Sequence, residues 1–126
     1  MMGNNIYGLG TDILEIARLR RLIESHGTKA LSRLLTPNER LYCLKHKDPV
    51  PHFAGRFSAK EAIVKALGCG FGKQASWHDI EILNNDQGKP DVFLSPALAA
   101  KFKNPKILLS ISHCKNYATA TAIWAS

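Results

Sequence analysis

The segment from Phe53 to Leu67 constrains the fold more than any other part of the chain, because it predicts a helix with almost no face for water. It contains no proline, its one glycine is Gly55, and Gly68 follows it as a C-terminal cap. At about 100° per residue, its aromatic, aliphatic and alanine side chains cover most of the circumference. A helix of this kind is buried, so we expect the rest of the chain to pack around it.

One wedge of this helix, about 60° wide, is polar and holds Ser58, Glu61 and Lys65. Glu61 precedes Lys65 by four residues, so the two side chains share a face. At an exposed position such an ion pair contributes only about 0.3 to 0.5 kcal/mol and carries no function. In an apolar surround, a charge costs several kcal/mol unless a partner, a metal or a ligand compensates it. The wedge is therefore either an intrahelical ion pair or part of a site.

The remaining segments predict an α+β fold, a mainly antiparallel sheet with helices packed on one face, in a single domain over residues 1–126. The run Thr36-Pro37-Asn38-Glu39 combines a capping box with a proline at the first helical position, which predicts a helix start. The other predicted elements are a strand over 6–12, a helix over 13–24, a hairpin of 80–83 with 92–94, a short helix over 96–102, and a hairpin of 106–112 with 117–124.

The net charge indicates what kind of partner the protein binds, and the cysteine content indicates its cellular compartment. The 126 residues include 17 Lys or Arg and 10 Asp or Glu, a formal charge of +7 that favours nucleic acid, anionic proteins or phosphorylated cofactors. Cys43, Cys69 and Cys114 lie far apart and form no CxxC pair, as is typical of reduced intracellular thiols. The sequence has neither a signal peptide pattern nor an apolar run that could cross a bilayer. We therefore expect a soluble, cytoplasmic protein.

Several polar residues outside the wedge have two interpretations each. Asp12, at the end of the first predicted strand, is either a second carboxylate for a Mg²⁺ site or the N-cap of the next helix. His113 follows a predicted strand, where a histidine contacts a phosphate, transfers a proton or satisfies a turn carbonyl. Arg56, Lys60 and Lys73 flank the central helix, either as a cluster for a multiply phosphorylated ligand or as a solvated basic face.

Three segments carry a resemblance to a known family: residues 8–16 (GLGTDILEI), residues 56–68 (RFSAKEAIVKALG) and residues 109–113 (LSISH). Together they resemble the holo-acyl-carrier-protein synthases, the small 4′-phosphopantetheinyl transferases of fatty-acid synthesis. The resemblance implies an α+β fold and transfer of 4′-phosphopantetheine from coenzyme A to a serine of apo acyl carrier protein, leaving adenosine 3′,5′-bisphosphate. It also implies a homotrimer with active sites at the subunit interfaces.

The resemblance assigns roles residue by residue. It makes Asp12 and Glu61 the Mg²⁺ ligands, with Glu61 and Lys65 acting in catalysis. The residues that it places at coenzyme A are Arg56, Lys65, Gly68, Gly70, Lys73 and His113. For docking of the acidic carrier protein it implies Arg18, with Arg20 and Arg21 as neighbouring candidates. The base that deprotonates the acceptor serine is either Glu61 or a water near the metal.

Two other classes of function compete with this interpretation. A basic nucleic-acid-binding module has the +7 charge in its favour, but the aromatic residues lie in apolar patterns and no RNP-like or zinc-finger spacing occurs. A metal-dependent phosphoester hydrolase would use the same Asp12 and Glu61 and release free phosphopantetheine instead of modified carrier protein. We expect neither nucleic acid nor a membrane as a partner.

Overall fold

The computed structural model describes residues 5–126 and confirms the α+β fold. Between Leu67 and Ile80 the chain forms a loop and one turn of 3₁₀ helix, Trp77–Asp79. The elements are β1 Ile6–Glu15, α1 Ile16–His26, α2 Thr28–Leu34, α3 Pro37–Leu44, α4 Val50–Leu67, β2 Ile80–Asn84, β3 Pro90–Leu94, α5 Pro96–Lys101, β4 Lys106–His113 and β5 Tyr117–Ala125.

Strands β1, β5 and β4 form an antiparallel sheet in that order, and β2 pairs with β3 as a separate hairpin. Asp12 lies opposite Ala120, which in turn lies opposite Ile111. Because side chains alternate along a strand, Asp12 points to the same face as Ala120, which is buried. The central helix α4 packs on this face, as expected from its apolar circumference.

Glycines bring β1 unusually close to α4. A Cβ atom on Gly8 would lie 1.8 Å from the carbonyl oxygen of Ala66, and one on Gly10 would lie 1.9 Å from that of Ala62. Both neighbours are backbone atoms, so no side-chain rotation could relieve the clash. The two glycines therefore permit the close contact that sets Asp12 beside the polar wedge of α4.

A buried ion pair holds the opposite side of α4. Lys60 and Glu39 are fully buried, and Lys60 Nζ lies 2.7 Å from Glu39 Oε1. The ammonium also donates to the carbonyl oxygens of Leu34 and Trp77, at 2.9 and 3.0 Å, so its charge is compensated. Both interpretations of Lys60 from the sequence, ligand contact and solvated basic face, are therefore wrong.

The structure confirms the capping box of α3, the C-terminal cap at Gly68 and both hairpins. The first strand is longer than predicted, because residues 13–15 continue to pair with β5 and α1 begins only at Ile16. The N-cap of α1 is Glu15, so the interpretation of Asp12 as an N-cap is wrong. The sequence did not predict α2, and α4 starts at Val50 with Pro51 in its first turn, three residues earlier than expected.

Candidate active site

Asp12 and Lys65 meet between β1 and α4. Lys65 Nζ lies 3.2 Å from Asp12 Oδ1 and donates a hydrogen bond to the carbonyl oxygen of Thr11 at 3.0 Å. The Asp12 side chain is 15% exposed and that of Lys65 is 52% exposed, so the cluster opens to solvent on the lysine side. Lys65 thus forms its ion pair with the sheet, and an intrahelical pair with Glu61 does not explain the polar wedge.

Glu61 completes a cluster of two carboxylates and one ammonium. Burial raises the pKa of Glu61, the charge of Asp12 raises it further, and the charge of Lys65 lowers it. The charge of Asp12 therefore destabilises the ionised form of Glu61, and a cation placed between the two carboxylates would relieve this repulsion.

The donor set fits Mg²⁺ bound together with a substrate. Among residues 5–126 no group of three or more His, Cys, Asp or Glu side chains could hold a metal. Mg²⁺ commonly binds one or two carboxylates and completes its shell with substrate phosphates and water. Asp12 and Glu61 supply that number of carboxylates, so the residues present suit a cation held jointly with a phosphorylated ligand.

Arg56 is a buried cation held in place by neutral groups. Its guanidinium lies 4.4 Å from the centre of the Tyr42 ring and donates through Nη2 to Asn84 Oδ1. Within residues 5–126 it has no ion pair with a carboxylate, and its Nε is buried without a hydrogen-bond partner. A buried charge of this kind favours an anionic ligand. Neither Tyr42 nor Asn84 stood out in the sequence, because nothing local marks them as partners of Arg56.

Arg56 does not join the carboxylate cluster. It precedes Glu61 by five residues, which places the two side chains about 140° apart around α4. The charges that act on Glu61 are those of Asp12 and Lys65. The described chain therefore presents two separate groups, the acid–lysine cluster facing β1 and Arg56 facing α3 and β2.

His113 is exposed at the end of β4, opposite Ala118. Since Ala118 is buried against the helices, the His113 ring points to the α4 side of the sheet. There it meets the ring of His52, in the first turn of α4, with 5.3 Å between ring centres.

The glycine-rich loop leaves the C-terminal end of α4 and folds back on aromatic rings. Gly68 has a left-handed backbone, with φ of 73°, as expected of a helix cap. The Phe71 ring stacks on Trp77 with 3.7 Å between ring centres. Gly70 and Lys73 are exposed on this loop. No contact of the described residues joins them to Asp12, so their contact with coenzyme A stays a prediction.

An apolar cleft with a basic rim runs beside α1. Its volume is about 540 Å³, and its apolar lining includes Leu14 and Phe57. Leu14 follows Asp12 by two residues on the same strand, and Phe57 precedes Glu61 by one helical turn, so the cleft adjoins the acid–lysine cluster. Arg18 and Arg21 line it.

The three arginines of α1 are placed differently. Arg18 and Arg21 reach the cleft, and Arg21 Nη2 lies 3.6 Å from Glu15 Oε1 in a loose, exposed ion pair. Arg20 instead donates to both carboxylate oxygens of Asp48 through Nη1 and Nη2. The docking role of all three stays a prediction, and the geometry favours Arg18 and Arg21 over Arg20.

Fold and site together define an α+β protein with a carboxylate pair and a lysine suited to phosphate chemistry. The family model of the 4′-phosphopantetheinyl transferase superfamily matches residues 8–122. A holo-[acyl-carrier-protein] synthase of Protochlamydia amoebophila (strain UWE25) is 55% identical over 119 residues, covering 94% of this chain and 98% of the relative. The chain belongs to the 4′-phosphopantetheinyl transferase superfamily, as its three motifs indicated.

Solved structures agree with this assignment. The holo-(acyl-carrier-protein) synthase of Bacillus anthracis str. Ames, in complex with coenzyme A (3′,5′-ADP), is 38% identical with a TM-score of 0.84 and covers 98% of this chain and 99% of its own. The enzyme of Neisseria meningitidis is 36% identical with a TM-score of 0.87, covering 95% and 98%. That of Helicobacter pylori, in complex with coenzyme A, is also 36% identical with a TM-score of 0.84, covering 92% and 98%.

Proposed function

We propose that this protein transfers the 4′-phosphopantetheinyl group of coenzyme A to a serine of an apo acyl carrier protein and releases adenosine 3′,5′-bisphosphate. The observation that carries the proposal is the meeting of Asp12, Glu61 and Lys65 between β1 and α4. The relatives are named for this reaction, and two of the three solved structures named above are complexes with coenzyme A. Neither a nucleic-acid-binding module nor a phosphoester hydrolase has such support.

In the proposed mechanism, Asp12 and Glu61 would hold a Mg²⁺ ion, which when bound would neutralise charge on the diphosphate of coenzyme A. Lys65 adds a positive charge beside the same group. The acceptor serine oxygen bonds to the phosphorus that bears pantetheine, while the bond from that phosphorus to the nucleotide phosphate breaks. The serine proton passes to Glu61 or to a water beside it, and no covalent enzyme intermediate is needed.

The cleft beside α1 is the proposed docking site for the carrier protein. Its apolar floor and basic rim suit a small acidic partner, and the net charge of +7 would speed the encounter at low salt. Leu14 and Phe57 line the cleft and are close neighbours of Asp12 along β1 and of Glu61 along α4, so a partner seated there would present its serine near the cluster.

The outer face of the three-stranded sheet supports a homotrimer with active sites between subunits. On this face Leu9, Ile13 and Leu108 are 63%, 68% and 44% exposed. Leu9 and Leu108 flank Ile123 across the sheet, so the apolar patch is continuous over three strands. Arg56 and the acid–lysine cluster lie on different sides of α4, which suits a site assembled from two subunits.

The cytoplasm is the proposed compartment. Cys43, Cys69 and Cys114 are free thiols, as is usual for proteins in a reducing environment. None of the helices within residues 5–126 has the length and apolar character needed to span a membrane.

Mass spectrometry of the acceptor tests the function. Apo acyl carrier protein is incubated with coenzyme A, Mg²⁺ and this protein, and its intact mass is measured. We expect the gain of one phosphopantetheinyl group together with adenosine 3′,5′-bisphosphate in solution. Free phosphopantetheine with unmodified carrier protein would instead identify a hydrolase, and no change in either substrate would reject the proposal.

A further inference from the structure

Four aromatic rings form a row that begins with His113 and ends beside Arg56. The rings of His113 and His52 meet edge to face, with centres 5.3 Å apart, and His52 stacks on His46 at 3.5 Å. His46 meets the edge of Tyr42 at 5.3 Å, and the Arg56 guanidinium lies 4.4 Å from the centre of the Tyr42 ring. We call His113, His52, His46 and Tyr42 the ring column.

The column is anchored at its middle and free at its His113 end. His46 and His52 are partly buried, and His46 Nδ1 donates to the carbonyl oxygen of Cys43 at 3.3 Å. Cys43 itself is fully buried in α3. His113 is exposed, and its ring contact in the described chain is with His52. The orientation of His113 therefore depends on a side chain that is itself fixed by its neighbours.

We propose that His52 is a positioning residue, which holds the His113 imidazole in the orientation that binds a phosphate of coenzyme A. The inference rests on the proposed function and on the contact of His113 and Arg56 with coenzyme A that the family resemblance predicts. Without its neighbour, the His113 ring would sample several rotamers, and binding a phosphate would cost the entropy of choosing one. The column also connects the loop after α3 with the end of β4. The two side chains that are predicted to bind phosphate therefore lie at its two ends, Arg56 against Tyr42 and His113 against His52.

The charges around His52 suit this role. Burial lowers the pKa of His52, the neighbouring His46, His113 and Arg56 lower it further, and Asp48 alone raises it. These effects favour the neutral form of His52, which adds no positive charge beside His113.

A double-mutant cycle on kinetic constants tests the proposal. His52→Ala should raise the KM for coenzyme A about 3- to 10-fold, the range expected from the loss of one aromatic contact. The KM for carrier protein should not change, whereas a general loss of folding would lower activity toward both substrates. In a His113→Ala background, His52→Ala should have no further effect, because the residue it positions is absent.

Two further variants separate positioning from general damage. His52→Phe keeps a ring of similar size and should restore most of the affinity for coenzyme A. His78→Ala is the matched control. It removes an exposed histidine outside the column, which donates a hydrogen bond to the carbonyl oxygen of Ser32, and it should leave the KM for coenzyme A unchanged. A KM increase that persists in the His113→Ala background, or that His52→Phe does not reduce, would overturn the proposal.

A measurement without catalysis distinguishes failure of this inference from failure of the proposed function. The NMR signal of the His113 ring should shift in His52→Ala, because the ring current of His52 acts on it at 5.3 Å. An unchanged His113 signal would reject the contact even in an active enzyme. If His113→Ala leaves the KM for coenzyme A unaltered, the positioning role of His52 is wrong. The proposed transfer reaction is tested separately, by the mass change of the carrier protein.

Discussion

Glu61 is the side chain whose charge the proposed mechanism needs most. Glu61→Gln keeps the volume of the side chain but removes the negative charge that would hold the cation. We expect the transfer rate to fall by roughly 100-fold or more, measured as holo carrier protein formed per minute. The melting temperature should stay the same or rise, since burial and Asp12 both disfavour the ionised carboxylate. Turnover at the wild-type rate would reject Glu61 as a ligand.

Asp79 makes stability depend on pH. Its carboxylate accepts hydrogen bonds from the Ser76 backbone and side chain and from the Ser95 hydroxyl, which hold its pKa below the ordinary 3.8. This stabilisation is complete above the unfolded-state pKa and is lost as the pH falls through the folded-state pKa.

Asp79→Asn should therefore lower the free energy of unfolding by about 1 to 2 kcal/mol at neutral pH. The difference from wild type should shrink as the pH approaches the folded-state pKa. Urea unfolding across the acidic range measures it, with Asp91→Asn on the exposed side of β3 as the control. A difference that is constant with pH would contradict the assignment.

At the scale of elements, the contact between β1 and α4 creates the site. Gly10→Ala would place a methyl group 1.9 Å from the carbonyl oxygen of Ala62 and push the strand away from the helix. We expect the free energy of unfolding to fall by about 1 to 3 kcal/mol. Transfer activity should fall by more than the loss of folded protein explains, because Asp12 moves with the strand.

Thermal unfolding and transfer assays on the same preparations check this expectation. For stability, Gly70→Ala is the matched control, since a Cβ at Gly70 meets no heavy atom within 4 Å. Full activity in Gly10→Ala would show that the close approach of β1 to α4 is not needed.

Local patterns predicted the elements that depend on neighbouring residues. The capping box at Thr36, the cap at Gly68 and the two hairpins arise from short-range chemistry, and the structure confirms them. Residues 13–15 show helical spacing in the sequence, but they pair with β5 more than 100 residues later, so the sheet overrides the local pattern. The seven-residue helix α2 is too short for its periodicity to stand out.

For the candidate site too, the sequence predicted the residues that lie within one helix better than the contacts between distant segments. Glu61 and Lys65 stood out because a polar wedge interrupts an apolar helix. The contact of Lys65 with Asp12 spans 53 residues, and residue patterns offered Asp12 only as one of two alternatives, a second carboxylate or an N-cap. The burial of Lys60 against Glu39 could not be predicted, because their contact joins separate helices. The single domain over residues 1–126 stays a prediction.

The whole molecule is expected to function as an assembly of three chains. Ile13→Asp places a charge on the exposed outer face of the sheet, on the edge strand β1, where two subunits would have to bury it. We expect wild type to sediment at three times 13.9 kDa and the variant at 13.9 kDa. The variant should remain folded but lose transfer activity if sites form between subunits. Leu41→Asp, at an equally exposed position on α3, is the control and should remain trimeric.

A divalent cation held jointly by Asp12 and Glu61 is the feature on which the proposed function depends most. Electron paramagnetic resonance can measure it directly with Mn²⁺ as a probe for Mg²⁺, in the presence of coenzyme A. We expect one bound Mn²⁺ per active site in the wild type, and at least a tenfold weaker affinity in both Asp12→Asn and Glu61→Gln. Binding of Mn²⁺ with unchanged affinity in either variant would contradict the account.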